Sequence, residues 1–382
     1  MTEAVAKDKR FAMDPRADDA KFRLGTLLAM RASKAPFPAD ALKDPDPTIR
    51  RAALEWIGVE RLTDFTATID TAIAGNPTRQ VFDAYLAAAE LLATTKIEAD
   101  GKIITAARFQ RTADIALDAK RDPALRALAL RLLPVSHAAL TMEAVRSLLT
   151  ADPRLAVEAA RILAARADEA AQTELRRITR DEKLPVDLRA EALAGLVHSA
   201  SAPETREILK TLGASGDPML RREATRSLAE PLTAIAASAP TQPDPAAGRR
   251  LFFHPNGPLC SNCHQIEGRG RSVGPDLTGV WRMKPEQLLE SIREPSKEIA
   301  PAFTQWHVKM RDGREAAGID QFVDSKSDFT LLDATGTLTK YRFDDVVQRE
   351  PMSISLMPPG LADRLTPQDL ADLIAYLRER RD

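Results

Sequence analysis

The chain has 382 residues, enough for two domains rather than one core, with 44% hydrophobic and 29% charged residues. That balance excludes a disordered or membrane-embedded chain, and 54 basic against 55 acidic residues leave no electrostatic case for nucleic acid. No apolar run of about 18 residues occurs, so no transmembrane helix is expected.

The N-terminal part is rich in alanine, leucine and arginine and carries a recurring segment. Asp46-Pro47-Thr48-Ile49-Arg50-Arg51-Ala52-Ala53-Leu54 returns in variants at Asp122-Pro123 and Asp217-Pro218, with looser copies at Pro153 and Pro185. The apolar marks Ile49, Val81, Leu125, Leu155, Leu188 and Leu220 are spaced by 32, 44, 30, 33 and 32 residues. In each unit aspartate caps a helix, and proline is tolerated in its first turn, where its missing N–H would have no intrahelical partner. Apolar residues at steps of three and four then form a stripe that neighbouring units can bury. The arginine beside the mark is expected to tie one unit to the next. The period is similar to that of HEAT repeats, which implies an α-solenoid over residues 1–235.

Residues 236–243 form a Pro/Ala linker, where proline stops any helix. Residues 244–301 then read as short helices broken by glycine and proline. From about 302 to 350 the pattern changes to period two, as at Trp306, Val308 and Met310, with turns at Asp312-Gly313 and Ala334-Thr335-Gly336. This predicts a small β-module of four or five strands. A last helix opens at Thr366-Pro367 and carries Leu370, Leu373, Ile374 and Leu377 on one face.

The chain has two cysteines, Cys260 and Cys263, and His264 follows them. Cys260-Ser261-Asn262-Cys263-His264 matches the c-type haem attachment pattern. Two thiols one turn apart can each add to a haem vinyl group, and the next histidine then lies beneath the ring. The motif therefore predicts one covalent haem c, with Cys260 and Cys263 as thioether anchors and His264 on iron. Two other readings stand beside it. A thioredoxin-like pair would need a βαβ context, which is absent, and zinc would need His254 beside His264. Candidates for the sixth ligand are Met283, Met310, Met352, Met357, His254 and His307. Met357 is favoured because Ser355-Leu356-Met357-Pro358-Pro359-Gly360 holds it in a proline-stiffened loop, and Met352 is the runner-up.

Around this motif, residues 244–382 resemble the haem-binding cytochrome c domain of the Planctomycete/Verrucomicrobium type. The resemblance rests on Cys260 to His264, Gly268, Val273-Gly274-Pro275-Asp276-Leu277 and Leu289 to Lys297. It continues through Asp312-Gly313, Ser355-Leu356-Met357-Pro358 and Leu373-Ile374-Ala375-Tyr376-Leu377. It implies a mainly α chain: an N-terminal HEAT-like solenoid followed by a cytochrome c helical domain carrying a β insertion at about 302–350. Likeness to small class I cytochromes c implies that the helix containing Gly248 and Phe252 crosses the last helix closely. It also implies that the Pro275 carbonyl accepts a hydrogen bond from His264. Phe252, Leu277, Trp281 and Leu361 are the expected walls of the haem pocket.

A His/Met-ligated haem has no open position, so electron transfer is the expected function, with no catalytic residue assigned. The alternatives are a haem peroxidase or gas-binding sensor with an open sixth position, or a repeat scaffold with zinc at the motif. The expected partner is a redox protein or a dehydrogenase, such as the sugar-dehydrogenase-like β-propeller that accompanies family members and is absent from this sequence. Covalent attachment implies the periplasm. Met1–Arg10 has no apolar core of a signal peptide, so the expectation is a segment of a longer exported protein.

Overall fold

A computed structural model describes residues 18–93, 105–229, 242–322 and 327–380. The protein is mainly helical, with a small antiparallel sheet. Its compact units, residues 1–158 and 159–381, divide within a helix, whereas the composition changes at 236–243. Most of that linker lies outside the described residues. None of the described helices is long and apolar enough to cross a membrane.

The first unit contains α1 (Ala20–Ala32), α2 (Pro47–Val59), α3 (Arg79–Ala93), α4 (Thr105–Leu117), α5 (Pro123–Leu132), α6 (Met142–Ala151) and the start of α7 (Pro153–Ala164). Consecutive helices pack in pairs, foremost α2 with α3 and α4 with α5. The recurring Asp-Pro opens α2 and α5: Asp46 accepts from the Thr48 amide at 2.7 Å and Asp122 from the Ala124 amide at 2.8 Å. Ile49, Val81, Leu125 and Leu155 are all buried.

The second unit continues with α8 (Glu169–Arg180), α9 (Val186–Gly195), α10 (Pro203–Gly213) and α11 (Pro218–Ser227). Leu188 and Leu220 are buried there, and Asp217 caps α11. The arginine beside the mark reaches back to the segment that precedes its own unit. Arg50, Arg126 and Arg189 donate to the carbonyls of Asp44, Ala116 and Thr179, each on the element just before its own helix. Carbonyls at a helix end lack intrahelical donors, so the guanidinium satisfies one of them.

After the linker come α12 (Pro245–Phe253), the hairpin β1 (Gln265–Ile266) and β2 (Arg269–Gly270), and α13 (Pro285–Arg293). Then follow β3 (Gln305–Met310), β4 (Glu315–Phe322), β5 (Asp328–Leu332), β6 (Leu338–Arg342), β7 (Val346–Pro351) and finally α14 (Pro367–Leu377). Helices α12 and α14 cross at Gly248, where a Cβ would stand 2.0 Å from the Asp372 carbonyl oxygen. Only glycine allows this approach. It brings Leu251 and Phe252 onto Leu373, Tyr376 and Leu377 in one core.

The five strands form an antiparallel sheet in the order β6-β5-β4-β3-β7. Gly313 and Gly336 make its turns at φ +86° and +80°, a region closed to most side chains. Alternation gives the sheet two buried faces. Val308, Met310, Phe329 and Leu331 form one core, while Ile319 and Leu332 pack on Val273, with Cys263, Phe303 and Leu356 alongside. The second face places the sheet against the cysteine motif.

Within this unit a buried ionic cluster joins α9 and α11 to α12 and α14. Glu223 pairs with Arg226 at 2.7 Å and Arg250 at 3.0 Å, and Arg226 also reaches Asp369 at 2.8 Å. Arg222 meets Asp372 at 2.8 Å, and Asp372 accepts from the Asp244 amide.

Candidate functional site

The motif folds as a tight turn. Leu259 enters at φ +60°, Cys260–Asn262 form a 3-10 turn, and the His264 amide donates to the Cys260 carbonyl at 2.8 Å. The chain then doubles back through β1 and β2, so that the Val273 and Gly274 amides both donate to the Cys263 carbonyl, at 3.0 and 2.7 Å. Gly270, at φ +104°, lies where a Cβ would strike the His264 carbonyl at 2.2 Å.

The histidine is fixed from two sides. Its Nδ1 lies 2.9 Å from the Pro275 carbonyl oxygen, so Nδ1–H donates and Nε2 is the nitrogen left to take a metal. A Cβ on Gly274 would stand 2.7 Å from the imidazole Cε1, so the backbone there forms a flat cradle for the ring. Burial lowers the His264 pKa, partly offset by the Pro275 hydrogen bond, and this favours the neutral, ligating form. A metal would bind this form.

The thiols have the opposite character to a redox pair. Burial pushes Cys260 up to about 12 and raises Cys263 as well. Reactive redox pairs rely on a stabilised thiolate. Among the described residues, no group of three or more His, Cys, Asp or Glu is placed to hold a metal ion.

His264, Cys263 and Pro275 line one narrow cleft with Met357, Leu356, Val273, Phe303 and Ile319. Of the six candidate sixth ligands, Met357 is the one on this cleft. His254 is buried elsewhere, its Nδ1 accepting from the Asn256 amide at 3.1 Å and its Nε2 3.1 Å from the Ser227 hydroxyl. Burial takes its pKa down to about 3. His307 faces Glu315 at 3.1 Å, Met310 belongs to the sheet core, Met283 packs near Leu288, and the Met352 amide is held by Gln305.

The expected walls are distributed differently. Phe252 is fully buried between α12 and α14, and Leu277 packs on the same cluster together with Cys260. Trp281 has the guanidinium groups of Arg282 and Arg380 over its ring, at 4.3 and 5.6 Å. Leu361 opens the short turn Leu361–Arg364 after the Met357 loop. None of these four lines the His264 cleft. Val273, Phe303, Ile319 and Leu356, which do, were not singled out as pocket residues, since their apolar character alone reads as ordinary core.

No protein-family model matches the chain, and no curated protein matches it.

Proposed function

We propose that the chain is a monohaem c-type cytochrome that transfers electrons. The observation carrying this reading is the shared cleft, which sets His264, oriented through Nδ1, and the Cys263 thiol together with the loop methionine Met357. The donor set fits a haem. Cys260 and Cys263 would hold it, His264 would supply Nε2, and Met357 would supply a thioether. Bound there, the iron would supply one-electron oxidation and reduction, and a thioether ligand favours the ferrous state.

The protein's own residues do the rest. Pro275 and Gly274 keep the imidazole in one orientation, and Val273, Ile319 and Leu356 exclude water from the cleft. As a ligand, Met357 would leave no open position for a gas or peroxide. The cleft encloses about 50 Å³, less than a porphyrin, so seating one requires the cleft to widen. In this reading residues 244–382 are a cytochrome c domain with a β insertion. The upstream helix pairs are a HEAT-like solenoid that docks a redox partner or dehydrogenase, and the protein acts in the periplasm.

The ferrous holoprotein is expected to bind no carbon monoxide at equilibrium while cycling reversibly between oxidation states. Ready carbon monoxide binding by the unmodified protein would instead place it with peroxidases and gas sensors.

A further inference from the structure

The loop that carries Met357 is tied down by residues far from it in sequence. The Gln305 main-chain carbonyl accepts from the Met352 amide at 2.8 Å, and its side-chain amide donates to the Ile354 carbonyl at 3.0 Å. On the other side the Ser296 hydroxyl accepts from the Ser355 amide at 3.1 Å. The Ser355 hydroxyl then accepts from the Met357 amide at 3.1 Å. Gln305 is only 8% exposed, and it pairs across the sheet with Ile319, which lines the cleft.

These contacts suit a clamp. Pro358 and Pro359 give the loop two residues without amide donors, so little else in that stretch can anchor it. A methionine side chain has three rotatable bonds and takes its position from its backbone. A buried carboxamide is costly to leave unpaired, so Gln305 and Ile354 select one loop position between them.

We propose that Gln305 is a positioning residue for Met357: the inserted sheet sets the register of the loop and thereby holds the thioether in the cleft that His264 lines. This inference rests on the haem reading. It also assigns the β insertion a function, that of a scaffold for the distal ligand.

The test uses the full chain matured with haem, as wild type, Gln305→Leu and Gln305→Glu. Both variants keep the main-chain bond to Met352, and neither ionised glutamate nor leucine can donate to Ile354. Covalent haem content, read as the alkaline pyridine haemochrome, is expected to match the wild type. The ferric band at roughly 695 nm that marks thioether–iron bonding should fall at least about twofold. Amide exchange at Ser355 and Met357 should quicken by about tenfold. An unchanged band with unchanged exchange in both variants overturns the proposal.

The haem reading is judged separately, by whether the wild-type chain takes up haem at all. If it does not, amide exchange in the haem-free chain still decides the clamp. Faster exchange in Gln305→Glu, with the sheet's circular dichroism intact, supports it, and equal exchange refutes it.

Discussion

Replacing Arg250 with alanine is expected to destabilise the second unit by about 3–5 kcal/mol, measured by urea denaturation at neutral pH. The guanidinium is 1% exposed and lies 3.0 Å from Glu223 and 3.5 Å from Glu191, both buried. A carboxylate removed from water needs its partners, and deleting one leaves charge that neither solvent nor packing can offset. The arginines beside Glu223 outweigh its burial and hold its carboxyl down to about 2.

The sign of the acid dependence follows. A depressed carboxyl pKa contributes fully above the unfolded value of 4.5 and is lost as pH falls toward about 2. His254 adds to the loss. Unfolded, it binds a proton below 6.5, but in the fold it does so only near 3, so stability falls with pH across that window. The penalty of Arg250→Ala should therefore shrink in acid, as Glu223 becomes protonated. A double variant, Glu223→Leu with Arg250→Met, should cost less than the two single changes together. A cost below about 1 kcal/mol for Arg250→Ala would show that solvent reaches the cluster.

Met357→Ala carries the largest expected effect on ligation. Alanine has no donor atom, so the ferric band at roughly 695 nm should vanish and the ferrous protein should gain carbon monoxide binding. The reduction potential should fall by on the order of 0.1 V, because the thioether stabilises ferrous iron and its loss removes that bias. Met352→Ala should change none of these, since Met352 is not on the cleft. If Met352→Ala abolishes the band and Met357→Ala does not, the ligand assignment reverses.

Much of this was legible because its determinants are local. Asp46-Pro47 announces a capped helix, Asp312-Gly313 a hairpin, and the cysteine spacing a turn whose next residue is histidine. Gly248 was readable for a different reason. A small residue one turn before Phe252 marks a helix made for close approach, and the Asp372 carbonyl occupies that space.

The remainder depends on contacts between distant segments. Ile319 reaches Cys263 and Val273 only because β4 pairs with β5 and turns that face inward. Nothing near Ile319 in sequence signals a cleft. Glu191, Glu223, Arg226 and Arg250 look like the solvated face of their helices, because charges at such spacing usually are. Their burial appears only when α11 packs against α12 and α14. Which carbonyls the repeat arginines meet was not readable, because spacing along a helix does not reveal which carbonyls lie open beside it.

The central claim is that Cys260 and Cys263 carry a haem. The most direct measurement is the intact mass of the chain, made in cells equipped for c-type maturation, after denaturation and acid–organic extraction. The wild-type chain is expected to retain the mass of one haem, and Cys260→Ser/Cys263→Ser to retain none. A wild-type chain that emerges at its bare polypeptide mass under those conditions would contradict that claim.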